Sequence, residues 1–171
     1  MAAAGEMRPE PRIDGSAFLA EGSFVLGRAT VGAGTGIWYN AVVRADAEPI
    51  RIGARVSVQD NAVVHVSPGY PCSVGDDVTI GHGAIVHGCT VDDRVIVGMG
   101  AIVMNGAHVG SDSIVGAGAV VTQGMDIPAG SVVVGSPARV LRPASDDDKA
   151  FILRNAAHYV ELARAEREAR S

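Results

Sequence analysis

The chain carries five histidines. Four of them, His65, His82, His87 and His108, fall within a stretch rich in valine and glycine. Imidazole serves as a metal ligand and as a general base near neutral pH. His65 and His87 each directly follow a valine, Val64 and Val86, whereas His82 stands two places after Ile80. Two charged residues repeat these offsets. Arg44 directly follows Val43, and Asp60 stands two places after Val58, with Gln59 between them. Imidazoles at one offset can share a metal ion if the chain stacks them. A carboxylate and a guanidinium nearby would orient the ligands and position an anion. His108 comes just before Val109, and His158 lies near the C-terminus, so neither shares an offset with the other three.

These offsets have spatial meaning because the intervening chain is a repeat of six residues. A branched aliphatic recurs at Val25, Val31, Ile37, Val43, Ile52, Val58, Val64, Val74, Ile80, Val86 and Val91. It continues through Val97, Val103, Val109, Val115, Val121, Ile127 and Val133. The step lengthens after Val43 and after Val64 and shortens after Val86. A helix would need apolar positions about 3.6 residues apart, and each interior glycine would cost it about 1 kcal/mol. Six residues fit one short strand and one tight corner. Three such units close one triangular turn of a parallel β-solenoid, with the aliphatics pointing inward in columns. The eighteen anchors predict six turns over about Val25 to Ala138.

Val64 and Val86 are three anchors apart, which is one turn. His65 and His87 therefore occupy one column on neighbouring turns, with backbones about 4.8 Å apart. Two imidazoles so placed reach one zinc ion at about 2.0–2.1 Å each. Arg44 lies one turn before His65 in that column, and Asp60 lies one turn before His82. His82 belongs to the preceding face and points away. The third ligand would have to come from another subunit, which predicts a metal site at each subunit interface; a threefold assembly would carry three.

Composition narrows the remaining choices. The chain has 171 residues, 47% of them hydrophobic and 19% charged, enough to bury one core. Fourteen Lys and Arg against 19 Asp and Glu leave no basic stripe for nucleic acid. No apolar run approaches the roughly 18 residues of a membrane helix. Residues 1–12 read as a loose polar leader without a signal-peptide core. Cys72 and Cys89 form no CxxC and suit a reducing cytoplasm. Residues 13–143 are expected to form the solenoid and 144–171 a terminal helix packed along it. Ser145 is the candidate cap, followed by Asp146, Asp147 and Asp148. That helix is expected from Asp146 to about Arg167.

The repeat resembles the hexapeptide-repeat proteins, which implies a left-handed parallel β-helix and a trimer. Arg44-Ala45-Asp46, Gln59-Asp60, Val64-His65-Val66, Ile80-Gly81-His82 and His87-Gly88-Cys89-Thr90 resemble the gamma-class carbonic anhydrases more closely. So do Val97-Gly98-Met99-Gly100, Gly135-Ser136-Pro137 and the terminal segment with Tyr159. The resemblance implies that His65, His82 and His87 hold zinc, a role iron or cobalt can also fill. It implies an intersubunit pair between Arg44 and Asp60, with Asp46 beside it, and contact between Gln59 and the metal-bound water. It places Tyr159 at the site. The implied reaction is reversible hydration of carbon dioxide to bicarbonate by a metal-bound hydroxide.

The chain departs from that family in the loop Ser67 to Cys72, which lacks the acids that carry protons in founding members. Glu48 is the nearest substitute, and the absence of a loop acid predicts slow turnover. Ser57 and His158 also stand where the family often has asparagine. Two other readings stay open: a metal-dependent thioesterase or acyltransferase acting on a coenzyme A ester, and a structural hexapeptide protein with a vestigial metal site.

Overall fold

The computed structural model describes residues 9–170. The expected leader over 1–12 therefore lies largely outside the described residues. The chain winds as a parallel β-solenoid of about seven turns followed by one helix. Its strands are mostly two or three residues long, and they stack in three columns.

The first face stacks Arg12, Thr30, Arg51, Ser73, Thr90, His108 and Asp126 in register. The second runs from Phe18–Leu19 through Gly36–Ile37, Ser57–Val58, Thr79–Ile80, Ile96–Val97 and Ile114–Val115 to Ser131–Val134. There Arg139–Pro143 folds back as the antiparallel edge. The third face stacks Phe24, Val42, Val63, Ile85, Ile102 and Val120. The anchor beside each position points inward. From Val31 to Val133 every anchor is buried, and together they form one continuous core.

The first turn, through Ile13 and Phe18–Leu19, precedes the predicted start of the repeat. It lies within the solenoid expected over 13–143 and keeps the six-residue step, with Leu19 six before Val25 and Ile13 six before Leu19; Phe18 packs outward on Trp38, and Leu19 stays exposed. Corners follow from local chemistry. At Gly81 a Cβ would stand 2.7 Å from the Met99 amide nitrogen, so only glycine lets the next turn approach. At another corner Arg55, Asp77, Arg94 and Asp112 adopt left-handed backbone angles one above another. Ion pairs between Arg55 and Asp77, and between Arg94 and Asp112, accompany that strain.

The helix spans Asp146–Ala169, two residues beyond the expected end. Ser145 and Asp148 form a reciprocal capping box, and three acids occupy the first turn. Ile152, Ala156 and Ala163 are its buried residues. The helix lies on the second face, where Asn155 Nδ2 donates to Thr79 Oγ1 at 2.8 Å and Tyr159 meets the Trp38 ring at 5.7 Å.

Candidate metal centre

The strands Val63–His65 and Ile85–His87 pair in parallel, with His65 opposite His87. Strand alternation turns Val64 and Val86 inward and both histidines outward. The rings stand 4.8 Å apart between centroids, and His65 Nδ1 lies 2.9 Å from His87 Nε2. Arg44 occupies the same column one turn earlier. Its guanidinium pairs with Asp46, and Asp46 Oδ1 lies 3.0 Å from His65 Nε2. Desolvation works to raise the Asp46 carboxyl's pKa. The His65 hydrogen bond, with Arg44 alongside, prevails and leaves it below the usual carboxylate range. On the far side, His87 Nδ1 meets Asn105 Oδ1 at 2.6 Å. Asn105 did not emerge from the sequence. The available signal was its place two residues after Val103, in the turn directly after His87.

The second cluster sits at the corner before the third face. His82 Nδ1 lies 2.9 Å from Asp60 Oδ2, as stacking on neighbouring turns requires. The His82 backbone amide donates to Oε1 of the buried Gln59 at 3.1 Å. Tyr159 reaches this corner from the helix. Burial, and then the Asp60 charge, push its phenol above the usual value. Among the described residues, no three His, Cys, Asp or Glu side chains of one chain converge on a point that could hold an ion.

Three other residues fall elsewhere. His108 lies on the first face between Asp92 and Asp126. His158 sits on the helix, its ring 5.6 Å from that of Tyr159. Glu48 Oε1 accepts the Gly69 amide at 3.0 Å, and Oε2 lies 4.0 Å from Arg28. The carboxylate proposed from the sequence as a proton acceptor is thus engaged in tying two loops together.

Each of the three histidines has one ring nitrogen held by a side-chain oxygen: Asp46 for His65, Asp60 for His82 and Asn105 for His87. Carboxylate or amide oxygens in those positions orient metal-binding imidazoles. Two nitrogens bound to one tetrahedral zinc at about 2.0–2.1 Å stand about 3.3 Å apart. The 2.9 Å between His65 and His87 is within a few tenths of that. The donor set fits a divalent ion of the zinc type.

The chain is 42% identical over 161 residues to gamma carbonic anhydrase 1 of Arabidopsis thaliana mitochondria, matching 91% of this chain but 58% of the plant protein. It is 46% identical over 144 residues to a probable carbonic anhydrase of Methanocaldococcus jannaschii, which covers 84% of this chain and 91% of that protein. The chain belongs to the gamma carbonic anhydrase family. Among solved structures, a putative acetyltransferase of Bacillus cereus superposes with a TM-score of 0.92 at 39% identity, covering 94% of this chain and 93% of that one. No protein-family model matches the chain. This member of the gamma carbonic anhydrase family therefore shares its fold with a protein named as a putative acetyltransferase, and the fold alone does not fix the chemistry.

Proposed function

We propose that this gamma carbonic anhydrase family member is a zinc-dependent carbonic anhydrase that interconverts carbon dioxide and bicarbonate at the interfaces of a homotrimer. One observation carries the reading. Three histidines each present one oxygen-held ring nitrogen, and they are divided between two clusters of the same chain. A second copy brings His82 to His65 and His87. The surfaces support such assembly. The first face is polar and the helix packs on the first four strands of the second, while the third presents an apolar column of exposed Phe24 and half-buried Val42, Val63, Ile85, Ile102 and Val120. A depression of about 290 Å³ lies on that third face, lined by Ile85, His87, Ile102, Met104 and Asn105.

Zinc held by three neutral imidazoles supplies an activated water near neutral pH, with iron or cobalt as substitutes. The chain's own residues do the rest. Asp60 holds the His82 ring, and Asp46 holds the His65 ring with Arg44 behind it. Arg44 and Asp60 pair across the interface. Gln59, fixed by the His82 amide, orients carbon dioxide or bicarbonate. Tyr159 stands on the Asp60 side, near enough for that carboxylate's charge to act on its phenol. With Glu48 engaged by Gly69, the proton leaves through buffer, so turnover is slow in dilute buffer. The free, buried Cys72 and Cys89 support a reducing compartment, the cytoplasm. The likeness to a protein named as an acetyltransferase favours a second reading, metal-dependent thioester hydrolysis or acyl transfer on a coenzyme A ester.

Metal analysis, light scattering and stopped-flow carbon dioxide hydration test the proposal. The expected result is a trimer with about one zinc per chain. His65→Ala, His82→Ala and His87→Ala each lose zinc, and His108→Ala retains it. Hydration rises with the concentration of a small buffer such as imidazole. A monomer that keeps its metal overturns the shared site. A fully loaded trimer inactive at every buffer concentration, but active on a thioester, moves the assignment to the second reading.

A further inference from the structure

Asn105 completes a pattern that the other two histidines already show. His65 and His82 are each held by a carboxylate, Asp46 and Asp60. Among the described residues His87 has no carboxylate partner; its Nδ1 faces the carboxamide oxygen of Asn105 at 2.6 Å. An amide oxygen only accepts, so the hydrogen of a neutral His87 ring must sit on Nδ1. The Nε2 lone pair is then bare, and it is this nitrogen that faces His65. The fold makes room for the contact. A Cβ on Gly88, the residue after His87, would stand 2.5 Å from Asn105 Oδ1 and 2.8 Å from Tyr70 Cβ. Gly88 also takes a left-handed backbone angle, φ +54°, that suits glycine. The missing side chain leaves the slot that the carboxamide enters, and Tyr70 of the acid-free loop closes it.

We propose that Asn105 is a positioning residue of the metal centre: its carboxamide oxygen holds His87 as the Nδ1–H tautomer and so presents Nε2 to the shared ion. The proposal rests on the three-histidine reading above for its purpose, but the tautomer itself can be read without metal. A polar partner of this kind typically contributes about 10–100-fold to metal affinity. Asn105→Asp keeps an acceptor in place, whereas Asn105→Leu keeps the size and removes it.

The experiment is a long-range proton–nitrogen correlation spectrum of the metal-free, histidine-labelled protein at pH 8. Zinc affinity by competition with a chromophoric chelator accompanies it. Wild type and Asn105→Asp are expected to show His87 as the Nδ1–H form and to bind zinc within a few-fold of each other. Asn105→Leu is expected to shift His87 toward Nε2–H and to bind zinc about 10–100-fold more weakly. His87 as Nε2–H in wild type overturns the proposal, and that spectrum needs no variant to fold. Asn105→Asp behaving like Asn105→Leu also overturns it, because an acceptor at that position would then not be what holds the ring. So does undiminished zinc affinity in Asn105→Leu. Wild type with the Nδ1–H form but no uptake of zinc, iron or cobalt supports the hold on His87 and overturns the metal-centre reading instead.

Discussion

His108 shows how the same side chain serves a different end outside the site. Its Nε2 lies 2.9 Å from Asp92 and its Nδ1 lies 2.7 Å from Asp126, so both ring nitrogens face carboxylates. The hydrogen bond to Asp92, then that to Asp126, raises its pKa above the usual 6.5. A group whose pKa is raised on folding contributes stability that is fully present below the unfolded value and is lost as pH rises through the folded one. His108→Gln should therefore lower the melting temperature more at pH 5.5 than at pH 8.5. The effect should be modest, because the side chain is 43% exposed and solvent screens the pairs. Equal losses at both pH values would contradict this account. Zinc content should not change in the variant, since His108 lies on a different face from His65 and His87.

At the scale of elements, the helix is held by its start and by one buried stripe. The Ser145 side chain accepts from the Asp148 amide, and the Asp148 carboxylate answers the Ser145 amide. Arg142 pairs with the same carboxylate and, with Ser145, holds it ionised far below the usual range. Ser145→Ala should cost about 1 kcal/mol in chemical denaturation. Ile152 is fully buried, and Ile152→Ala should cost about 2–5 kcal/mol. Tyr159 lies two helical turns beyond Ile152 on the same side, against Trp38. Ile152→Ala should therefore also make the Trp38 fluorescence more solvent-like at temperatures where the solenoid is still folded. An unchanged emission spectrum there would show that Tyr159 docks independently of Ile152.

For the whole molecule, the informative contrast is among the three faces. The first exposes Arg12, Thr30, Arg51, Ser73, Thr90 and Asp126, and the helix packs on the first four strands of the second. The third leaves an aliphatic column beside the two stacked histidines. If that face meets another subunit, a charge in its centre must be buried unpaired, which is costly. Ile102→Glu should dissociate the trimer in light scattering and reduce zinc occupancy, although it alters no ligand. Retention of both trimer and zinc would place the interface elsewhere. Among the described residues no helix is long and apolar enough to cross a membrane.

Much of this was legible in the sequence because a solenoid converts spacing into position. Each turn stacks on the last, so equal offsets from an anchor mean one column. That rule alone paired His65 with His87, put Arg44 below them, and set Asp60 beside His82. It also separated His108 from the site. The rule fails where contacts depend on rotamers, on loops or on the ends of the stack. Nothing in the spacing tells that Asp46 turns to His65, that Asn105 holds His87 from the next turn, or that Glu48 is occupied by the Gly69 amide. The first turn keeps the six-residue step at Ile13 and Leu19, but the spacing does not tell that Leu19, at an end of the stack, stays exposed. The repeat determined which residues share a column. The tertiary structure decided which of their polar atoms meet, because that depends on side-chain torsions and neighbouring bulk that a six-residue period does not encode.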